Sequence, residues 1–382
     1  MTKEAGLGQI AFLSSSPGTL GVELELQLIH PDTFDLTPAA PALLDALRAH
    51  PLSGSIKPEI TRAMVEINSA VHDDPGALLT ELRQLRDTVC KGAATVRARV
   101  AGGGAHPFMR WQDRRIFSSP RFQRVAGRFG YLASKFTVFG QHVHLGVSCG
   151  DEAIAMIRRL TPYVPHLVAI AASSPYHESV DTQFASSRPH ALHGFPLAGH
   201  MPYEIADWYG FEAHMMRMRA HGLIDDLKEL YWDIRPKPEL GTVEIRVCDT
   251  PLSVERACQI AAFAQALGAW VAGTPEPGQL AWLAYPINHF QACRFGLLAD
   301  YVEADGRTVC LRTHLEGLFD VLMPHAQARG CDAMIRALRA SLASQGNDAR
   351  WLRACLQHTG SLPGVVARAA DVFQGDLREG LR

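Results

Sequence analysis

Glu23, Glu25, Glu59, Glu66 and Glu244, with His142 and His144, are the residues of this sequence best placed to do chemistry. Several glutamates with one or two histidines make a hard, oxygen-rich donor set suited to Mg2+ or Mn2+. Five carboxylates gathered in one cleft cannot all stay ionised alone. Either some pKa values rise strongly or cations sit among them. A cleft with divalent ions suits phosphoryl transfer, because the metals bridge phosphate oxygens and neutralise developing charge. Arg246, two positions after Glu244, can hold a transferring phosphate through two N–H groups, and Arg235 and Lys237 add positive charge just upstream. No GxxxxGK[ST] loop is present, so the chain is not a P-loop protein.

The elements that carry these residues share one pattern. In GVELELQLI (21–29), Val22, Leu24, Leu26 and Leu28 fall on one face of a strand, and Glu23, Glu25 and Gln27 on the other. Same-face neighbours on a strand are only about 7 Å apart, so the two carboxylates repel. MVEIN (64–68) sets Glu66 and Asn68 opposite Val65 and Ile67. GQHVHLGVS (140–148) sets His142 and His144 opposite Val143, Leu145 and Val147. GTVEIRVCD (241–249) sets Thr242, Glu244 and Arg246 opposite Val243, Ile245 and Val247. Taken singly, each reads more readily as a solvated sheet face, and His-x-His alone is ambiguous between a zinc pair and polar alternation. Taken together, they predict a sheet whose apolar backs pack on helices and whose fronts line a cleft, with Glu59 in reach.

Around these strands the spacing predicts helices over 39–50, 75–100 (starting at Asp74-Pro75), 151–174 and 253–272, and a mostly helical last ~110 residues. Residues 175–200 read as a functional loop containing DTQFASSR, and GGG (102–104) reads as a turn. No regular βαβ repeat appears. The expected fold is α+β with an antiparallel or mixed sheet, in a single domain over 1–382, its motifs within about 17–300.

The chain has 382 residues, 47% apolar and 20% charged, with a formal net charge of -2. This balance argues against nucleic acid or anionic membrane as a bulk partner and favours small molecules. Eight irregularly spaced cysteines with no CxxC pair read as reduced thiols of a cytoplasmic protein. No convincing signal peptide opens the sequence, and no apolar run approaches the roughly 20 residues of a membrane span. Nothing argues against a homo-oligomer.

In order, GVELELQLI, KPEITRAMVEIN, GQHVHLGVS, WDIRP and GTVEIRVCD resemble the ATP-dependent carboxylate–amine ligases, and more narrowly the bacterial glutamate–cysteine ligase type 2 group. GGAHPF (103–108), SSPYHESVDTQFASSR (173–188) and NHFQACRFGL (288–297) match less closely. The resemblance implies a fold similar to the glutamine synthetase catalytic domain, with a curved, mainly antiparallel sheet forming a funnel. It implies ATP and Mg2+ (or Mn2+) as cofactors, and small-molecule carboxylate and amine substrates. Phosphate would pass to a carboxylate, giving an acyl phosphate that an amine attacks, with glutamate and cysteine giving γ-glutamylcysteine. It assigns Glu23, Glu25, Glu59, Glu66, His142, Glu244 and, where related ligases can carry another polar residue, His144 to the metals. Arg246 would stabilise the transferred phosphoryl group, Arg235 would contact phosphate or a substrate carboxylate, and Arg188 would clamp substrate. By residue type alone, Arg188 reads as surface, Asn288 and Arg294 as braces, Trp232 as core and His106 as a turn anchor. Phe290, Gln291, Ala105 and Glu178 depart from the family pattern, which bears on substrate choice more than on ATP chemistry. Two other classes stand beside the ligase: a zinc hydrolase built on His142 and His144, and a non-catalytic nucleotide- or metabolite-binding protein.

Overall fold

The computed structural model describes residues 10–376. Residues 1–9, part of the segment read as lacking a signal peptide, lie outside the described residues, as do 377–382 of the expected domain. Seven strands form the main sheet: β1 (Leu20–Ile29), β2 (Ile56–Pro58), β3 (Met64–Asn68), β4 (Arg99–Ala101), β5 (Gly140–Gly146), β6 (Ile234–Lys237) and β7 (Thr242–Asp249). Their order is β6-β7-β5-β1-β3-β2, and β4 pairs with the far end of β1. Every pairing is antiparallel. With the flanking helices this is the expected α+β class.

The apolar backs behave as their alternation dictates. Val22, Leu24, Leu26, Val65, Ile67, Val143, Leu145, Val243, Ile245 and Val247 are buried in one core with the helices behind them. The Pro75–Thr95 helix contributes Leu78, Leu82, Leu85 and Val89 to that core. Its start is set by Asp74, whose carboxylate accepts from the N–H groups of Gly76 and Ala77, with Pro75 at the first helical position. The Val254–Val271 helix is buried along almost its whole length. The same core runs on to Leu311, Phe319, Leu338 and Phe373 of the C-terminal helices.

Helix bounds differ from expectation: the predicted 39–50 helix is Ala40–Ala46, and the predicted 75–100 helix ends at Thr95, with Arg99 and Val100 in β4. The predicted 151–174 helix is Gly150–Leu160, a 3-10 turn at Thr161–Tyr163, and Val164–Ala171. Pro162 and Pro165 lack the N–H groups a continuous helix needs, and their rings crowd the preceding turn. The 175–200 loop holds one short helix, Arg188–Leu192. At Gly104 a Cβ would sit 2.4 Å from Asp249, so the GGG turn also permits a close approach to the end of β7.

Candidate active site: a glutamate-lined sheet face

Register, more than sequence distance, assembles the site. Glu23 faces His142 on β5 and Asn68 on β3, Glu25 faces Glu66, and Glu244 faces His144 on one side and Arg235 on the other. The fronts of five strands therefore share one surface, and Glu59 reaches it from the β2–β3 connection.

The opening pair of glutamates divides its work. Glu23 turns to the histidines: His142 Nδ1 is 2.9 Å from its Oε2, and His144 Nε2 is 3.4 Å from its Oε1. Glu25 turns to Glu59 and Glu66, and accepts the Gly140 N–H. Three overlapping donor groups result: Glu25–Glu59–Glu66, Glu23–Glu66–His142 and Glu23–His144–Glu244. Within each, the ligand atoms lie within 4.8 Å of one another.

Charge explains what this arrangement demands. Burial pushes the Glu25 carboxyl up to about 7, Arg188 opposing and Glu66 adding to the rise. Burial, then Glu25, lifts Glu59 to about 7, and burial, then Glu23 and Glu59, lifts Glu66 to about 8. Among the described residues, no Arg or Lys lies within ion-pair distance of these three. Burial works against ionisation of Glu23 too, but its histidine contacts outweigh it and hold the carboxyl low. Burial, reinforced by Arg246, pushes His142 down to about 4, so at neutral pH its ring is an uncharged hydrogen-bond partner. With His142 Nδ1 on Glu23 and His144 Nδ1 on Thr242 Oγ1 at 3.0 Å, both Nε2 atoms are left buried and without hydrogen-bond partners. Imidazole nitrogens without hydrogen bonds, beside carboxylates with no Arg or Lys at ion-pair distance, fit a divalent-cation site.

Glu244 differs. Its Oε1 accepts from Arg246 Nη1 at 2.6 Å and its Oε2 from Arg235 Nε at 2.5 Å. Although burial opposes it, the two arginines hold its carboxyl far below the ordinary range. The arginines are not equivalent. Arg235 spends Nε and Nη2 on Glu244 and Nη1 on the Leu230 carbonyl. Arg246 touches Glu244 through one nitrogen and keeps donors to offer. Lys237 lies on the same face as Arg235, opposite Thr242, with its Nζ 3.2 Å from the half-exposed Glu239.

Arg188 is not a surface residue. It is 2% exposed, donates to the Arg246 carbonyl at 3.1 Å, and crosses β5 where a Cβ on Gly140 would lie 2.0 Å from its Nη2. The loop preceding it is tied down by Asp249, whose carboxylate accepts from Ser173 N–H, Ser174 Oγ and Ser186 Oγ at 2.7–2.9 Å. Trp232 packs near Phe211 in the core. Asn288 braces Val302, Arg294 bonds Gln183, and His106 bonds the Phe34 carbonyl. The motifs gave no part to Arg121 and Lys57, yet these bring compensating positive charge toward Glu59 and Glu66 respectively. Lys57 faces Glu66 across β2 and β3, a pairing that only the register reveals.

The fold has solved counterparts. Glutamate–cysteine ligase of Francisella tularensis, solved in complex with AMP, superposes with a TM-score of 0.71 at 15% identity, covering 95% of this chain and 90% of that one. A bifunctional glutathione synthetase from Pasteurella multocida gives 0.69 at 14% identity, over 94% of this chain and 52% of that one. The chain shares the fold of these two proteins. The sequence relations are nearer. The model of "Glutamate-cysteine ligase family 2" matches residues 19–368. A "Putative glutamate--cysteine ligase 2" of Bordetella parapertussis is 58% identical over 96% of this chain and 89% of its own length. A protein of the same name from Paracidovorax citrulli is 44% identical over 96% and 98%. The chain belongs to glutamate–cysteine ligase family 2, and with it to the ATP-dependent ligases that form C–N bonds.

Proposed function

We propose that the protein joins a small-molecule carboxylate to an amine through an acyl phosphate, with L-glutamate and L-cysteine, giving γ-glutamylcysteine, as the first pair to test. The observation that carries this reading is the Glu25–Glu59–Glu66 group beside the two unpartnered Nε2 atoms of His142 and His144. The hard donor set favours Mg2+, with Mn2+ as the alternative, held by Glu23, Glu25, Glu59, Glu66, His142 and His144. Bound there, such ions supply charge neutralisation for the ATP phosphates.

The chain's own residues account for the remaining work. Arg246, resting on Glu244 with donors free, is placed to take the transferred γ-phosphate. Arg235 holds Glu244 and so fixes where Arg246 starts from. Arg188, buried over Gly140 on the His142 face of β5 and with its charge acting on Glu25, is the candidate clamp for a substrate carboxylate. Glu244, in the same donor group as Glu23 and His144, keeps lone pairs beside its two arginines and can join the ions from there. Family membership favours this ligase over a zinc hydrolase on the HxH strand or a binding protein without turnover.

Eight unpaired cysteines and the use of ATP support a cytoplasmic location. No helix among the described residues is long and apolar enough to cross a membrane.

The test is ADP formation from Mg·ATP with glutamate present and single amino acids supplied as the amine. Amine-dependent ADP together with an amide product by mass spectrometry supports the reading. ADP formation indifferent to every acid and amine refutes it.

A further inference from the structure

A second cluster of metal-binding residue types sits at the β6 edge of the sheet, outside the glutamate group. Asp233 directly precedes β6, and its carbonyl accepts the Arg246 N–H at 2.8 Å. Its carboxylate, 5% exposed, is approached by groups from two other elements. Tyr285 and His289 come from successive turns of the Gln279–Phe295 helix, and His193 follows the Arg188–Leu192 helix. Tyr285 donates its hydroxyl to Asp233 Oδ2. The imidazoles stop short. His193 Nε2 is 3.7 Å from Oδ1 and His289 Nε2 is 3.8 Å from Oδ2, both beyond hydrogen-bond reach. His289 is 4% exposed, and its Nε2, aimed at this carboxylate, has no hydrogen-bond partner.

We propose that His193, Asp233 and His289 form a transition-metal site for Zn2+ or a similarly borderline-soft divalent ion, distinct from the hard-cation glutamate cleft. Their ligand atoms lie within 4.8 Å of one another. A tetrahedral ion with bonds of roughly 2.0–2.1 Å places its ligand atoms about 3.4 Å apart, so a small contraction of the gaps completes the shell. Two imidazoles and one carboxylate favour such ions over Mg2+ and leave a fourth position open. The protonation states agree. Burial pushes His289 down to about 4, leaving it neutral. Although burial opposes it, the groups around Asp233 hold its carboxyl below the ordinary range. The Cys293 Sγ, 3.7 Å from His289 Nδ1, lies on the other side of the ring, leaving Nε2 for the ion. A metal here would tie the Gln279–Phe295 helix and the His193 loop to the start of β6, where the Asp233 carbonyl holds the Arg246 N–H. The site does not depend on the ligase reading.

The experiment strips the whole protein with a chelator, fills the glutamate cleft with excess Mg2+, and titrates Zn2+ against a chromophoric competitor. The expected result is about one tightly held equivalent per chain. His289→Ala and Asp233→Asn should weaken it by at least the ~100-fold that outer-shell losses alone can cause. His193→Ala, at a partly exposed position, should do the same without threatening the fold, and Glu59→Gln should leave the equivalent intact. Absence of tight Zn2+ binding overturns the proposal. So does a zinc equivalent that survives His193→Ala but disappears with Glu59→Gln or His142→Ala.

Discussion

Replacing Glu66 with Gln removes the carboxyl with the most raised pKa of the glutamate group without changing its shape. The Glu66 carboxyl titrates near 8 in the folded protein, against an ordinary value of 4.5. A raised folded-state value means the group favours folding most below the unfolded pKa, and that benefit is lost as pH rises through about 8. Above that pH, the metal-free protein carries a buried charge facing Glu23 and Glu59. A tenfold change in proton affinity corresponds to about 1.4 kcal/mol, so the whole rise from 4.5 to about 8 sets an upper bound of about 5 kcal/mol. Coupling among the carboxylates shares that penalty, and relief on the order of 2–4 kcal/mol is expected at about pH 9. Chemical denaturation of the metal-free protein reads it directly. Glu66→Gln should match the parent at about pH 5 and exceed it at about pH 9. Saturating Mg2+ should reverse the order, because the variant lacks a ligand and gains less from the ion. A variant equally destabilised at both pH values, with Mg2+ making no difference, would refute the idea that repulsion is stored here for a cation.

Other outcomes follow from the same geometry. Glu23→Gln, unlike Glu66→Gln, should lower metal-free stability by roughly 1 kcal/mol, since Glu23 engages both His142 and His144; denaturation at neutral pH checks this. Mg2+ affinity should rise between about pH 6 and pH 9 as Glu25, Glu59 and Glu66 lose protons, and calorimetry in buffers of differing ionisation enthalpy should detect proton release on binding. Arg246→Ala should reduce ATP turnover by about 100-fold or more while Mg2+ binding persists, because Arg235 still holds Glu244; kinetics beside calorimetry separate the two.

Much of the site is legible in the sequence because strand alternation is a local property. Once Val22, Leu24 and Val143 declare the core face, Glu23, Glu25 and His142 must face the other way. The motif order also points to the right family. Register is not legible. Nothing in GVELELQLI says that Glu23 will meet histidines while Glu25 meets Glu59 and Glu66, a distinction set by pairing with β5 and β3. Arg188 reads as a surface residue because an isolated arginine usually is one; only the close approach over Gly140 reveals its burial. Asp233 and His289 stand inside recognisable motifs, WDIRP and NHFQAC, yet their meeting depends on how the Gln279–Phe295 helix docks at the sheet edge.

The ligase chemistry turns on whether this cleft activates a carboxylate by phosphorylating it. An acid substrate labelled with heavy oxygen in its carboxylate, turned over with Mg·ATP and the amine that supports ADP formation, decides this. Passage through an acyl phosphate would carry one carboxylate oxygen into the released phosphate, and that label is the expected result. Amide and ADP formed with unlabelled phosphate would contradict it.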